Sequence, residues 1–125
     1  MTKTYKISEI SSLTGLSVTT LHYYEDLDLL KPQHSDSNCH EFTQRDLAWL
    51  DFIKRALATG MPLAKIQEYA KLREQGDATI IQRIGLLVEQ ERVLRGQIAE
   101  LEAHLDFILQ KKHGYYDHLQ KNSER

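Results

Sequence analysis

The apolar positions in the second half of the chain follow a heptad repeat. Leucine and isoleucine recur there at alternating steps of three and four residues, over about four heptads or roughly 50 Å of helix. The nine seam positions are Ile80, Ile84, Leu87, Glu91, Leu94, Ile98, Leu101, Leu105 and Ile108. Glu91 is the polar exception, and a polar seam residue commonly fixes register or partner orientation at some cost in stability. Because one helix cannot bury such a stripe alone, the pattern predicts a homodimer held by the apolar seam residues.

The start of the chain has the capping and helix-ending residues of two short helices joined by a turn. Ser8 is the predicted N-cap of the first helix, and Gly15 ends it in the left-handed conformation that glycine permits. Ser17 can cap a second helix that runs from Val18 to about Leu27. Helices of this length around such a turn predict a helix-turn-helix.

A polar, turn-rich segment from Gln33 to Glu41 follows and predicts a short hairpin, or wing. Thr43 and Asp46 have the spacing of a capping box at the start of a third helix. Its apolar stripe consists of Leu47, Leu50, Ile53 and Leu57. The residues 60–62, Gly-Met-Pro, end that helix, and a fourth short helix closes near Gly76.

Composition limits the classes of protein that fit these elements. With 125 residues, only two prolines and six glycines, the chain suits one mainly α-helical domain plus an extension. We place the head at residues 5–76, the dimerisation helix at 77–112 and a polar tail at 113–125. No signal peptide or transmembrane run is visible, which predicts a cytoplasmic protein with no membrane partner.

Few residues could carry catalysis or bind a metal. Cys39 is the only cysteine, which excludes an internal disulfide and a multi-cysteine zinc cage. The chain shows no pairing of nucleophile and base and no glycine-rich phosphate loop. We therefore predict that it is not an enzyme and that it needs no metal or cofactor.

The charge of the head does not by itself favour nucleic acid. Up to Gly76 there are nine lysines and arginines against ten aspartates and glutamates. A DNA-binding domain normally carries a basic face. Any affinity for DNA must therefore depend on where the positive groups lie.

Two stretches of the chain resemble the DNA-binding head of the MerR family, and the match covers Tyr5 to Arg73. They are "YKISEISSLTGLSVTTLHYYEDLDLLKP" and "HEFTQRDLAWLDFIKRALATGMPLAKIQEY". The resemblance implies a winged helix-turn-helix head followed by a long C-terminal helix that dimerises as an antiparallel coiled coil. It also implies a promoter regulator that presents double-stranded DNA to RNA polymerase. Members bend promoters with an overlong spacer and untwist them when an effector binds, which uses protein contacts to deform the duplex.

The second helix and several cations are the predicted DNA contacts. They are Ser17, Thr19, Thr20, His22, Tyr23, Tyr24, Lys31, His40, Lys54, Arg55 and Lys65. Leu21 is expected to face the core of the head. For Tyr24 two roles stay open, a phosphate contact through its hydroxyl and inward packing beneath the wing. For each lysine or arginine, a solvated surface role is the alternative.

Two histidines depart from the family pattern. His22 and His40 stand where arginines usually do, and an imidazole with an ordinary pKa of about 6.5 is mostly neutral at pH 7.5. One hypothesis is that protonation of both strengthens DNA binding, and the alternative is that each simply donates one hydrogen bond.

The signal that such a regulator would sense is not evident from the sequence. Cys39 is a candidate redox or electrophile sensor in the wing, although related thiol sensors place their cysteine near the position of Arg55. Metal sensors of the family carry cysteines at the ends of the dimerisation helix, where this chain has none. A large C-terminal drug-binding domain is not expected either. A small effector pocket could be lined by Tyr69, His104, Phe107, Tyr115, Tyr116 and His118, which could equally cover the seam.

Two other functions compete with promoter regulation. The first is an architectural DNA-bending protein of the excisionase type, against which the long helix argues. The second is a coiled-coil interaction protein with weakened DNA binding, which the neutral head favours.

Overall fold

The computed structural model describes residues 3–31, 33, 34 and 40–123, with the backbone alone for Gln33, His34 and His40. The protein is mainly helical, with one small sheet. In chain order the elements are β1 (Thr4–Tyr5), α1 (Ile7–Thr14), α2 (Val18–Asp26), β2 (Gln33–His34), β3 (His40–Thr43), α3 (Gln44–Ala58), α4 (Leu63–Glu74), a 3₁₀ turn (Gly76–Thr79) and α5 (Ile80–Ser123). The predicted helix-turn-helix and the two helices that follow it are confirmed.

The first helix begins earlier than the sequence predicted. Lys6, not Ser8, is the N-cap, and its backbone N–H donates to the Glu9 carboxylate at 3.0 Å. The reason is a strand that sequence patterning did not reveal. Tyr5 pairs with Phe42 in the sheet, so the chain turns into α1 directly after β1.

The small sheet has the order β1-β3-β2, and both pairs are antiparallel. Strands β2 and β3 form the predicted hairpin, with His34 opposite His40. Residues 35–39, which include Cys39, lie outside the described residues.

A single core holds the head together. Its fully buried large side chains are Ile10, Leu21, Phe42, Leu50, Ile53 and Ile66, which come from four helices and β3. Thr43 accepts a hydrogen bond from the Asp46 N–H and confirms the predicted capping box of α3. The predicted stripe of α3 is only partly correct. Leu57 is 37% exposed, while Trp49 is buried and donates its indole N–H to the Leu29 carbonyl at 2.6 Å.

The chain divides into two compact units, one up to Leu86 and one from Leu87 onward. Helix α5 has 44 residues and a length of about 66 Å. The tail predicted to start at residue 113 is therefore helical as far as Ser123. Gly114 does not end the helix, since an isolated glycine costs a helix interior only about 1 kcal/mol relative to alanine.

Candidate nucleic-acid interface

The turn between α1 and α2 is fixed by local hydrogen bonds. Gly15 has a φ of 77° and donates its N–H to the Ser11 carbonyl at 3.0 Å. Ser17 caps α2 as predicted, because its hydroxyl accepts the Thr20 N–H at 3.0 Å. The Ser11 hydroxyl donates to the Leu16 carbonyl at 2.7 Å and spans the turn. These bonds hold α2 at a defined angle to α1.

Helix α2 has one buried and one exposed face. Leu21 is fully buried, as predicted, and anchors the helix in the core. Thr19, His22 and Tyr23 are exposed, and Tyr23 retains 52% of its surface. Residues at these spacings lie on one side of a helix. The structure therefore brings three of the predicted contacts together on one outward-facing surface, which we call the α2 face.

Tyr24 lies on the opposite side of α2. Only 6% of its surface is exposed, and burial raises the pKa of its phenol. Of the two roles weighed for this side chain, inward packing is the one that the structure confirms. A phosphate contact through its hydroxyl stays a prediction.

Acidic groups lie close to the α2 face. The His22 Nδ1 atom is 3.9 Å from the Glu25 carboxylate, whose side chain is largely buried. Asp26 is exposed at the end of the helix, and Asp28 adopts a left-handed φ of 61° just beyond it. The positive charge that DNA needs must therefore come from outside α2.

Three predicted phosphate contacts take part in exposed ion pairs. Lys31 lies 2.8 Å from Glu74, and the hydrogen bond and charge of that carboxylate raise the pKa of Lys31. Arg55 pairs with Asp51 at 3.1 Å, and Lys65 pairs with Glu68 at 3.6 Å. Exposed pairs of this kind are weak, so a phosphate can replace the carboxylate.

Lys54 has a structural partner that sequence reasoning missed. Its Nζ atom donates to the Thr14 carbonyl at 2.8 Å, across 40 residues of sequence. That carbonyl lies at the C-terminal end of α1, where a cation satisfies an orphaned acceptor. Lys54 thus connects α3 to the helix-turn-helix. No local signal in the sequence indicates such a long-range contact.

Other predicted positions are only partly visible. The backbone of His40 pairs within β3, whereas Cys39 falls in the segment that is not described. Within residues 3–31, 33, 34 and 40–123, no cluster of three or more His, Cys, Asp or Glu residues could hold a metal ion. Across the same ranges, no helix has the length and apolar character needed to cross a bilayer.

The seam residues of α5 are largely exposed. Ile84, Ile98, Leu101, Leu105 and Ile108 each keep more than half of their surface accessible, with values from 52% to 67%. Ile80 and Leu87 are 44% and 41% exposed, and Leu94 is half-buried. Glu91 is paired along the same helix with Arg95 at 2.9 Å.

The stripe is longer than the sequence analysis recognised. Tyr115 and Leu119 continue the heptad register beyond Ile108 and are 70% and 63% exposed. Their spacing from Ile108 and Leu105 could have revealed them, but the sequence analysis assigns residues 113–125 to a polar tail. Tyr115 and His118 line a surface hollow on α5, whereas Tyr69 lines a surface pocket of the head.

The chain matches two family models. The "MerR HTH family regulatory protein" model covers residues 5–72, and the "MerR, DNA binding" model covers residues 47–110. An uncharacterized HTH-type transcriptional regulator of Haemophilus influenzae is 34% identical over 90% of this chain and 84% of its own.

Two solved structures are similar in fold. HiNmlR, described as a MerR family regulator lacking the sensor domain and bound to promoter DNA, has 33% identity and a TM-score of 0.70, over 83% of this chain and 80% of its own. A MerR family regulator from Bacillus thuringiensis has 28% identity and a TM-score of 0.73, over 87% of this chain and 96% of its own. With its capped helix-turn-helix, its wing strands and these matches, the chain belongs to the MerR family of DNA-binding transcriptional regulators, which are not enzymes.

Proposed function

We propose that this protein is a homodimeric promoter regulator that reads DNA with the α2 face. The observation that carries the proposal is the division of α2 into two sides. Leu21 and Tyr24 fix the helix in the core, while Thr19, His22 and Tyr23 point outward at spacings that suit a major groove. HiNmlR, a structural neighbour described as bound to promoter DNA, supports promoter binding as the function.

The phosphate contacts would come from exposed cations of the head that lie outside α2. Lys31, Arg55 and Lys65 are exposed and exchange their carboxylate partners for DNA phosphates. Such contacts position the protein but carry no sequence information. Because phosphates would replace the carboxylates that now pair with these cations, a head with almost no net charge could still bind DNA.

Dimerisation would bury the stripe on α5. Each seam side chain that loses about half of its exposure contributes roughly 1 kcal/mol. Summed over the stripe from two helices, this is enough to hold a pair of chains together. Two linked heads can then contact successive major grooves and deform the spacer between promoter elements, with RNA polymerase as the partner that uses the altered duplex.

A gel shift with the DNA upstream of the protein's own coding region tests DNA binding directly. Tyr23→Ala should weaken binding about tenfold or more, because one specific contact contributes about 1–3 kcal/mol. Phe107→Ala is the matched control, since Phe107 is also an exposed aromatic residue but lies on α5, at none of the nine seam positions. Equal losses in both variants would contradict the assignment. No shift at any salt concentration would favour the coiled-coil interaction protein instead.

We also propose that His22 and His40 make the affinity for DNA depend on pH. Protonated His22 and His40 would each add a positive charge near phosphate, so we predict tighter binding at pH 5.5 than at pH 8. A variant with His22→Gln and His40→Gln should lose that difference. Equal affinity of the unaltered protein at both pH values would refute the histidine hypothesis and leave the α2 assignment intact.

A further inference from the structure

An open surface pocket of about 280 Å³, here called the cavity, lies on the head, outside the α2 face. It is formed by α3, α4 and the first turns of α5, all within the compact unit that ends at Leu86. Three arginines and three aromatic residues dominate its walls: Arg45, Arg73, Arg83, Trp49, Phe52 and Tyr69.

The aromatic rings form a stacked group. The Phe52 and Tyr69 ring centroids are 4.7 Å apart, and both rings lie within 12° of parallel to Trp49. The Arg73 guanidinium lies 4.5 Å from the centre of the Trp49 ring. The cavity thus offers flat apolar surface directly beside positive charge, an arrangement that suits a planar anion.

Among the residues that the structure describes, the three guanidinium groups of the cavity form no ion pair. Asp46 is an acid that acts on Arg73 through its charge, and its carboxylate also accepts the Thr43 N–H at 2.8 Å. Burial, followed by the like charge of Arg45, lowers the pKa of Arg73. An anion in the cavity would relieve this repulsion.

Arg83 is already held in position. Its guanidinium donates to the Gly76 carbonyl at 2.9 Å and to the Thr79 hydroxyl at 3.2 Å. A guanidinium fixed in this way loses less side-chain entropy when it binds a carboxylate.

The volume of the cavity, about 280 Å³, is just below the 300–1,000 Å³ of typical ligand pockets. A cavity of this size suits a ligand with a single ring and one acidic group.

We propose that this cavity binds a small aromatic carboxylate, whose acid group pairs with the arginines and whose ring packs against Phe52 and Tyr69. The proposal goes beyond DNA binding and assigns the head a ligand site of its own. It does not depend on the proposed dimer or on an operator.

Trp49 makes the site directly observable, because it is the only tryptophan in the chain. Titration of the full-length protein with sodium benzoate should change the Trp49 fluorescence in a saturable way. Cyclohexanecarboxylate, which has the charge but no aromatic ring, and inorganic phosphate should each bind about tenfold more weakly. No saturable signal with benzoate, or equal binding of all three anions, would overturn the proposal.

Two variants locate the binding. Arg45→Gln removes one charge at an exposed position and should weaken benzoate about tenfold, as should Arg73→Gln. Arg92→Gln is the control, since Arg92 is an exposed residue of α5 that pairs with Glu89. If Arg73→Gln impairs folding by circular dichroism, Arg45→Gln alone decides the question. Equal benzoate affinity in Arg45→Gln and Arg92→Gln would overturn the site. Benzoate binding by single chains but not by dimers would also overturn the proposal. In that case an acidic side chain of the second copy would occupy the cavity in the dimer.

Discussion

The head buries large apolar side chains within one chain, whereas the long helix α5 leaves similar side chains exposed. In the head, Leu50 and Ile53 are fully buried within one chain. On α5, Leu101 and Leu105 have equally apolar side chains but are 67% and 55% exposed. Burial of apolar area is the main source of folding stability. The head therefore contains its own source of stability, whereas the second half of α5 exposes apolar area that the proposed dimer would bury.

The first prediction has the largest expected effect and tests the contrast between the buried head and the exposed α5 stripe by placing charges in the seam. Ile98→Asp combined with Leu101→Asp should weaken dimerisation by at least about 4 kcal/mol, or roughly 1,000-fold, because unpaired carboxylates would be buried. Sedimentation velocity should then show single chains, and binding to DNA should fall sharply.

The matched control is Ala99→Asp combined with Ala103→Asp. These residues carry the same added charge on the outer side of the same helix. A dimer that survives the Ile98 and Leu101 changes, or is equally lost in the control, would refute the assigned register.

Much of the head could be predicted because its signals are local. Gly15, Ser17 and the Thr43–Asp46 capping box each act over a few residues, so the sequence pattern reveals them. The start of α1 could not be placed correctly, because it depends on β1 pairing with a strand nearly 40 residues away.

The candidate site was predicted less completely than the fold. The α2 face follows from helical periodicity, but the Lys54 contact with Thr14 and the stacking of Trp49 on Tyr69 join distant parts of the chain. The length of α5 was underestimated because residues 113–125, which include Gly114, have the composition of a polar tail. A single glycine costs a helix interior only about 1 kcal/mol relative to alanine, which is too little to end a helix of 44 residues.

The second prediction compares truncations in the two regions. Leu50→Ala should cost about 2–5 kcal/mol of folding free energy at any protein concentration, because it leaves a cavity inside one chain. Leu101→Ala should cost less in dilute solution and more in concentrated solution, since its contacts would form only in the proposed dimer. Thermal melts at two concentrations measure this difference. A concentration-independent effect of Leu101→Ala would contradict the contrast.

The third prediction concerns Lys54, whose ammonium group holds the end of α1. Lys54→Met should cost at most about 1 kcal/mol of head stability by loss of one hydrogen bond. Arg55→Met, at the next position of α3, should have almost no effect on stability because Arg55 pairs only with exposed Asp51. Chemical denaturation of the two variants measures both effects, and equal losses would show that the Thr14 contact contributes nothing.

The smallest prediction makes the same chemical change in both regions. Gly96→Ala should stabilise α5 by about 0.5–1 kcal/mol, because Gly96 lies on the outer side of the helix and no heavy atom comes within 4 Å of an added Cβ. Gly15→Ala should instead destabilise the head, since its φ of 77° disfavours any side chain. Thermal unfolding distinguishes the two signs, and a gain in both variants would contradict the turn geometry.

The mass of the unaltered protein in solution tests the central claim most directly. Sedimentation equilibrium over a wide concentration range should give twice the 14.5 kDa of one chain. A mass that stays at that of a single chain at the highest concentration would leave the α5 stripe without a partner and contradict the account.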